Sequence, residues 1–195
     1  MAEDKVMAVI YSKNTNRYLC IKYAAFSDVL KFKKGEEEHL LLPEHFSLPF
    51  RITDTDKDGY CYVTKRNPMK RMRLGFPKGS MNEEERKTMN FQAAVCRECE
   101  EESGVDCSLL NLVGIKYIYA HDYETRYRAY VYETEEEFTL PSMTEGMISG
   151  EVDECCWMSI KDMQNFDGFK NIPMFEYFKK YVRVSLARRH PVSDS

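Results

Sequence analysis

Three glutamates stand close together in the segment from Arg97 to Val105, whose sequence is RECEEESGV. Glu98, Glu101 and Glu102 are spaced i, i+3 and i+4, so a helix would project them to one side within about one turn. Three like charges held that close repel one another, and hard divalent cations relieve the repulsion because they favour carboxylate oxygens as ligands. The spacing therefore predicts a site for Mg²⁺ or Mn²⁺ on this helix.

The residues on either side of these glutamates support a structured site. Arg97 is spaced to reach Glu101 at i+4 and to orient it, and Gly104 is a natural helix stop. Upstream, the sequence GFPKG at residues 75–79 is typical of a strand that ends in a loop. The alternative is an acidic helix face exposed to solvent, which is the usual meaning of such a run. That alternative leaves the glycines, Arg97 and the Phe-Pro-Lys-Gly segment unexplained.

The segment from Gly79 to Val105 resembles the Nudix box, Gly-x5-Glu-x7-Arg-Glu-U-x-Glu-Glu-x-Gly-U, in which U is a bulky apolar residue. Gly79 and Glu85 match its first part, and residues 97–105 match its last nine positions, with Cys99 as a smaller apolar residue. The spacer after Glu85 has eleven residues in place of seven. We expect the four extra residues in the loop before the helix, around residues 86–89.

The resemblance implies a fold, a reaction and a set of site residues. The fold is an α/β/α sandwich with a mixed β-sheet between helices. The reaction is metal-dependent hydrolysis of a pyrophosphate bond in a nucleoside diphosphate joined to another group, with Mg²⁺ or Mn²⁺ as cofactor. The implied metal ligands are Glu98, Glu101, Glu102 and the carbonyl of Gly79, and the implied catalytic residues include Glu102 and Arg97.

Three short segments outside the helix resemble mRNA-decapping enzymes and the related proteins of large DNA viruses. They are the GFPKG segment, Glu151-Val152 followed by Trp157, and residues 172–175 leading into a basic helix predicted at about 173–188. In those enzymes the glutamate of the second segment is a candidate general base, which makes Glu151 the candidate here. Glu154 is close enough in sequence to compete for that role. This resemblance implies removal of the 5′ cap of mRNA, with release of a capped nucleoside diphosphate and a 5′-monophosphate RNA.

Other substrates and another class of protein remain open. Residues 112–115 and 127–132 resemble the branch that hydrolyses diphosphoinositol polyphosphates, which is the first alternative. Hydrolysis of ADP-ribose or of a dinucleotide comes next, because the box fits and no adenosine-specific feature is visible. A non-catalytic RNA-binding module with a decayed box is the alternative from a different class, and the three intact glutamates argue against it.

Two basic segments flank the acidic helix in the sequence. Residues 65–73 carry five cations in nine residues, and a second group lies on the predicted C-terminal helix. A basic run is most often only a solvated face, but cations beside a carboxylate site can also hold the phosphates of a polyanion. The candidate substrate-binding residues are Lys70, Arg71, Arg73, Lys78, Lys179, Lys180 and Arg183. They predict a phosphate-rich partner, capped RNA in the first instance.

Length and composition favour an ordinary globular protein. The chain has 195 residues, 43% of them apolar, and a net charge of −4, and it contains no apolar run of membrane-spanning length. We expect one domain over residues 1–195, with an insertion at about 23–67. Seven cysteines without a disulfide or zinc spacing favour reduced thiols in the cytosol, with the nucleus as a further compartment.

Alternation of apolar residues and turn signals predict the remaining elements. Asp54–Gly59 resembles a calcium loop but has Lys65 where the loop needs a glutamate, so we interpret it as an acidic hairpin turn. Residues 138–150 are predicted as a loop, and 160–164 as a short helical turn. The predicted strands are Lys5–Tyr11, Tyr18–Lys22, Tyr60–Lys65, Leu109–Tyr119, Arg126–Glu133 and Glu154–Ser159.

Overall fold

The structure is a computed structural model that describes residues 3–24, 26–37, 40–42, 44, 46, 50–66, 73–119 and 125–166. Several predictions lie outside these residues: Lys70, Arg71, the helix at 173–188, and Lys179, Lys180 and Arg183 on that helix.

The described residues form ten strands and four α-helices. The strands are β1 (Glu3–Ser12), β2 (Arg17–Tyr23), β3 (Phe26–Lys33), β4 (Phe50–Ile52), β5 (Tyr60–Arg66), β6 (Arg73–Gly75), β7 (Lys78–Ser80), β8 (Asn111–Tyr119), β9 (Thr125–Thr134) and β10 (Val152–Met158). The helices are α1 (Glu83–Thr88), α2 (Phe91–Ser103), α3 (Glu145–Ser149) and α4 (Ile160–Asn165), and a 3₁₀ turn spans Cys107–Leu109.

Seven strands form the main sheet, which is mixed. Its strand order is β10-β2-β1-β9-β8, with β6 paired to β2 and β7 paired to β1. Strands β1 and β9 run parallel, while β2, β7 and β8 pair antiparallel with their neighbours. The predicted hairpin of β1 and β2 and the predicted strands at β8 and β9 are confirmed. Strand β10 starts two residues earlier than predicted, at Val152 in place of Glu154.

A fork between β1 and β2 admits the GFPKG segment into the sheet. The two strands pair at their connected ends, where Tyr11 faces Tyr18. At their other ends β6 lies against β2 and β7 lies against β1, and Ala8 donates its backbone N–H to the Pro77 carbonyl at 2.8 Å. The segment therefore forms two short strands with Phe76 and Pro77 between them, where the sequence predicted a strand end and a loop. Its placement fixes Gly79 in the middle of the sheet.

The two faces of the main sheet each bury a core. Alternate residues of β1 point to opposite faces, as the two-residue period of a strand requires. Val6, Ala8 and Ile10 pack in the core that contains Ala94, Val95 and Cys99 of α2, whereas Met7 and Val9 pack in the core that contains Met163 of α4. The sheet thus lies between helices, which confirms the predicted α/β/α arrangement.

The insertion forms a small antiparallel sheet of its own. Its strand order is β3-β5-β4, and we call it the insertion sheet. Phe32, Phe46, Cys61 and Val63 form its core. It occupies much of the stretch predicted as an insertion at about 23–67, and the assignment of residues 1–195 to one domain stays a prediction.

The segment Asp54–Gly59 is the turn between β4 and β5. The Asp56 carboxylate accepts hydrogen bonds from the backbone N–H groups of Asp58 and Tyr60, both at 2.9 Å. Gly59 adopts φ +83°, a left-handed conformation that glycine enters without steric cost. The acidic side chain therefore holds the turn itself, as expected of a hairpin.

Two loop predictions are wrong. Residues 86–88 form the last turn of α1, and Met89 ends that helix in the left-handed region at φ +53°. The signal for α1 was the capping box, in which Asn82 and Glu85 each accept a hydrogen bond from the other's backbone N–H. Within the predicted loop 138–150, α3 begins at a Thr144 cap and ends at Gly150.

All seven cysteines are free thiols, and Cys20, Cys61, Cys99 and Cys107 are buried. Among the described residues, the structure has no helix that is both long and apolar enough to span a membrane.

Candidate active site

Helix α2 is fixed at both ends and along one face. The Asn90 side chain caps its first turn by accepting from the Ala93 N–H at 3.1 Å. Gly104 ends it at φ +71°, and a Cβ at this position would lie 2.6 Å from Cγ of Pro141, so a glycine is required there. Ala94, Val95 and Cys99 pack on the sheet. The predicted helix stop is confirmed, and the helix cannot rotate without losing its buried face.

Glu98 lies directly against Gly79. A Cβ at Gly79 would be 2.1 Å from Cδ of Glu98, so this contact is possible only with glycine on β7. Burial raises the pKa of Glu98 to about 7; Arg97 opposes this rise, while the negative charges of Glu101 and Glu151 add to it. The structure therefore brings Gly79 and Glu98 together, and Glu151 is near enough for its charge to raise the pKa of Glu98.

Glu102 is the most buried carboxylate of the three, at 5% exposure. The Tyr23 hydroxyl donates to its Oε2 at 2.6 Å and lies 3.0 Å from the Phe76 carbonyl oxygen. The backbone N–H of Lys78 also hydrogen-bonds the carboxylate, but burial dominates and raises the pKa of Glu102 well above its usual value. Sequence reasoning missed Tyr23, because no local pattern connects it to a residue 79 positions away.

Arg97 links the carboxylates to one another. Its Nε and Nη2 donate to both oxygens of Glu85, at 3.0 and 2.9 Å, in a bidentate pair. Its Nη1 donates to Glu98 at 2.9 Å and to Glu101 at 3.2 Å, and its Nη2 also reaches the Ser80 carbonyl at 2.9 Å. The predicted contact with Glu101 is present. Glu85 is 7% exposed and holds Arg97, so the four extra residues of the spacer leave this pair intact.

Glu151 and Glu154 lie in different surroundings. Glu154 forms an ion pair with Lys22 at 2.8 Å, and the two residues are partners in the register of β10 and β2. Cys20 lies on the same face of β2 as Lys22, and Met158 on the same face of β10 as Glu154, because side chains alternate along a strand. Both pack in the core that contains Met163 of α4, so Glu154 lies on the α4 side of the sheet. Glu151 precedes β10 and raises the pKa of Glu98 through its charge. Of the two candidates for general base, only Glu151 is thereby connected to the carboxylates of α2.

Lys78 and Arg73 are the described members of the predicted phosphate-binding set. The Lys78 ammonium lies 5.3 Å from the ring centroid of Tyr23 and 5.6 Å from that of Tyr127. Burial lowers the pKa of Lys78 to about 8, Glu102 opposes the shift, and the positive charges of Lys5 and Arg73 add to it. Lys78 is thus a cation beside Glu102, and exposed Arg73 lies near enough to interact with it.

The donor set fits a hard divalent cation. In the part of the chain that the structure describes, no three side chains of His, Cys, Asp or Glu already converge on a metal position. Arg97 holds Glu98 and Glu101, and Tyr23 holds Glu102. The carboxylate oxygens are hard ligands of the kind that Mg²⁺ and Mn²⁺ prefer, and the negative charge of Glu101 adds to the rise that burial causes in the pKa of Glu98. Those three glutamates and the Gly79 carbonyl are the groups that would hold such a cation.

Comparison with known protein families shows which family the chain belongs to. The profile of the NUDIX domain matches residues 48–178, which include the whole of α2 and β10. The chain belongs to the NUDIX family. It is therefore a Nudix hydrolase, an enzyme that cleaves a pyrophosphate bond, and members of this family generally require a divalent metal.

Solved Nudix structures share the fold. A NUDIX hydrolase from Nitrosomonas europaea aligns with a TM-score of 0.52 at 15% identity, covering 95% of this chain and 90% of that one. A MutT protein from Methanosarcina mazei Go1 aligns with a TM-score of 0.52 at 15% identity, covering 96% and 95%. A bifunctional NMN adenylyltransferase/ADP ribose pyrophosphatase from Francisella tularensis, complexed with AMP and a manganese ion, aligns with a TM-score of 0.52 at 10% identity, covering 97% of this chain and 42% of that one. A search of curated protein sequences gave no significant match.

Proposed function

We propose that this Nudix hydrolase removes the 5′ cap of mRNA, releasing a capped nucleoside diphosphate and a 5′-monophosphate RNA. The observation that supports the proposal is the position of Glu151, whose charge acts on Glu98. The glutamate that resembles the decapping enzymes' base candidate thus interacts through its charge with one of the carboxylates of α2. Glu154 is held by Lys22.

Each site residue has a role in this reaction. Glu98, Glu101, Glu102 and the Gly79 carbonyl would hold Mg²⁺ or Mn²⁺, which when bound would supply positive charge at the phosphates and activate the attacking water. Glu151 accepts the proton of that water. Arg97 and Tyr23 orient the metal-binding carboxylates, and Lys78 and Arg73 contact the phosphates. Lys70, Arg71 and the C-terminal Lys179, Lys180 and Arg183 extend the phosphate path along the RNA.

A compact polyanion is the second candidate substrate. Three lysines of the insertion sheet support it: Lys31 and Lys33 lie at 4.0 and 5.7 Å from the Tyr60 ring centroid, and Lys57 lies 3.8 Å from Glu101. Such a cluster suits a diphosphoinositol polyphosphate, the alternative that the sequence also suggests. ADP-ribose, which the Francisella enzyme's name includes, comes third, because a likeness at 10% identity shows the fold alone.

A substrate panel separates these candidates. The purified protein with Mn²⁺ should be given capped RNA, free cap dinucleotide, a diphosphoinositol polyphosphate and ADP-ribose, with product release measured for each. We expect fastest release from capped RNA. Fast turnover of the diphosphoinositol polyphosphate without cleavage of capped RNA would make the second candidate correct. Release of product from ADP-ribose alone would make the third candidate correct.

Salt dependence tests whether RNA follows the basic segments. Binding of single-stranded nucleic acid weakens with salt by about 0.7 in log–log slope per phosphate neutralised. Replacing Lys179, Lys180 and Arg183 with alanine should flatten this slope and slow cleavage of long capped RNA. Hydrolysis of the cap dinucleotide should be nearly unchanged, because the metal-binding residues and Glu151 are untouched. A matched control replaces three exposed lysines elsewhere on the surface, Lys13, Lys87 and Lys161. Equal losses on long and short substrates would contradict the RNA path.

A further inference from the structure

The insertion sheet reaches the carboxylates of α2 through one lysine. Lys57 occupies the turn between β4 and β5, and its Nζ lies 3.8 Å from Oε1 of Glu101. Both side chains face solvent in part, with 62% of Lys57 and 32% of Glu101 exposed. An exposed ion pair of this kind stabilises a protein by only about 0–1 kcal/mol. The pair therefore contributes little to stability. Its consequence is that it places a positive charge beside Glu101.

The turn that carries Lys57 is held rigidly. Besides its two backbone hydrogen bonds, the Asp56 carboxylate accepts from the Tyr62 hydroxyl at 2.9 Å. The backbone N–H of Lys57 itself donates to Oε1 of Glu145 at 3.1 Å. Glu145 is the first residue of α3, so the turn is attached to that helix next to the lysine. The Lys57 backbone is thus fixed from both sides.

Helix α3 in turn is attached to the part of α2 that carries the glutamates. The Thr144 hydroxyl donates to the carbonyl of Glu102 at 3.1 Å. A Cβ at Gly146 would lie 3.3 Å from the Glu101 carbonyl oxygen and 2.7 Å from a methyl group of Val152, so the two helices are in close backbone contact. A chain of short contacts therefore connects the Lys57 backbone to the helix that carries Glu101.

The insertion sheet makes further contacts with the same helix and the turn after it. Arg51 of β4 donates to the Met147 carbonyl at 3.3 Å. Gly150 packs against Thr64 of β5, where a Cβ on the glycine would lie 2.6 Å from the threonine methyl group. Contacts from both β4 and β5 hold the insertion sheet against this region, and the position of Lys57 follows from the whole sheet.

We propose that Lys57 binds a phosphate of the substrate at the edge of the metal site. The inference rests on the proposed function, because it requires Glu101 to hold a divalent cation. A carboxylate that ligates a cation no longer needs the ammonium, and the lysine is then a free donor beside the place where the substrate's diphosphate lies. A Lys–phosphate contact is a charge-assisted hydrogen bond, among the stronger ones that a binding site can use. The ligand class is a diphosphate, whichever group it is attached to.

Binding of a non-hydrolysable diphosphate tests this proposal. The affinity of methylenediphosphonate in the presence of Mg²⁺ should be measured by calorimetry for the full chain and for Lys57→Ala, Lys57→Arg and the control Lys87→Ala. Lys87 is also an exposed lysine in an ion pair, with Glu83 at 2.9 Å, but on α1. We expect about 10-fold weaker binding for Lys57→Ala, equal to about 1.4 kcal/mol. Lys57→Arg should restore part of it, and Lys87→Ala should bind normally.

Two further measurements separate phosphate binding from a role in the metal site or in folding. Mn²⁺ affinity without the diphosphonate should be equal or higher in Lys57→Ala, because a competing cation near Glu101 has been removed. Glu145→Ala, which keeps the lysine and frees the turn, should weaken diphosphonate binding by about 3-fold, an effect of lost positioning. Weaker Mn²⁺ binding in Lys57→Ala, or a fall in melting temperature shared by Lys57→Arg, would overturn the proposal.

The same experiment distinguishes the failure of this inference from the failure of the proposed function. If the unaltered protein binds methylenediphosphonate with Mg²⁺ and Lys57→Ala binds it equally well, the Lys57 proposal is wrong and the hydrolase assignment is unaffected. If the unaltered protein shows neither Mg²⁺-dependent binding nor hydrolysis of any pyrophosphate substrate, both are wrong.

Discussion

Helix α2 and the insertion sheet meet at Glu101, and they hold their charges differently. Around α2 the site's charged groups are buried or half-buried and joined to one another: Glu85 is 7% exposed, and Arg97, itself half-buried, joins it to Glu98 and Glu101. On the insertion sheet and its turn Lys31, Lys33 and Lys57 are exposed, and the first two lie over the ring of one tyrosine, Tyr60.

The difference indicates that the two regions have different roles. Leaving one partner of a buried charge network unpaired costs several kcal/mol, so the geometry around α2 is strongly enforced. Exposed lysines contribute little to stability and are free to bind a ligand. Substitutions around α2 should therefore affect turnover or folding severely, and those on the insertion sheet should affect binding with little change in stability.

The largest effect is expected from the carboxylates that we propose as metal ligands. Glu101→Gln or Glu102→Gln removes a hard anionic ligand, and we expect turnover to fall on the order of 10²-fold or more while the fold persists. Both variants should keep the circular dichroism spectrum of the original protein. A folded double variant that hydrolyses substrate at the original rate would refute the metal assignment.

Glu151→Gln should have the next largest effect. Loss of a general base lowers the maximal rate by roughly 10²-fold, and the acidic limb of the pH–rate profile should disappear with it. Mn²⁺ affinity should stay largely intact. Glu154→Gln is the matched control, since it removes a neighbouring carboxylate that pairs with Lys22. If the control loses the acidic limb and Glu151→Gln keeps it, the base is Glu154; if both variants keep the limb, the base lies on α2.

Glu85→Gln tests how firmly the buried network holds the fold. We expect the free energy of unfolding at neutral pH to fall by about 1–3 kcal/mol, because Arg97 loses a buried bidentate partner. The hydrogen bond from Arg97 lowers the pKa of Glu85 below its unfolded value. Its stabilisation is therefore present above the unfolded pKa and is lost as pH falls through the lower folded pKa.

Urea unfolding of the original protein and of Glu85→Gln, repeated across the acidic pH range, measures the difference in their free energies of unfolding. The difference in unfolding free energy between the two proteins should be constant at neutral pH and should shrink on acidification below pH 4.5, the pKa of an unperturbed glutamate. A difference that does not change with pH would show that the charge of Glu85 contributes nothing to stability.

The smallest effect is expected on the insertion sheet. Lys31 lies with its ammonium 4.0 Å from the Tyr60 ring centroid, an exposed contact of a kind that contributes about 0.5–1 kcal/mol. Lys31→Ala should lower the free energy of unfolding by no more than that. A loss as large as that of Glu85→Gln would show that the two regions do not differ as described.

Local patterns in the sequence were sufficient for several elements of the site. The i, i+3, i+4 spacing located the carboxylates on a helix, and Gly104 marked its end because a left-handed residue is needed there. The strands with clear alternation, β1, β2, β8 and β9, were predicted within a few residues. The helices α1 and α3 were missed although their caps, Asn82 and Thr144, are visible in the sequence, because both helices are very short.

Contacts between distant residues needed the folded chain. Nothing near Tyr23 in the sequence indicates that its hydroxyl donates to Glu102, and nothing near Lys57 indicates Glu101. The choice between Glu151 and Glu154 also depends on tertiary structure, because the register of β10 against β2, with a bulge between Val152 and Glu154, decides which face each residue is on.

The sequence by itself predicted which carboxylates stand on one face of a helix, because helical spacing is a local property of the chain. Only the tertiary structure decided which tyrosine donates to Glu102, which glutamate acts through its charge on Glu98 and which lysine comes within reach of Glu101. Those contacts join residues that meet only when the fork in the main sheet admits β6 and β7 and the insertion sheet packs against α3. The energy that brings them together comes from burial of the two apolar cores on either side of the sheet, which depends on the whole chain and on no single motif.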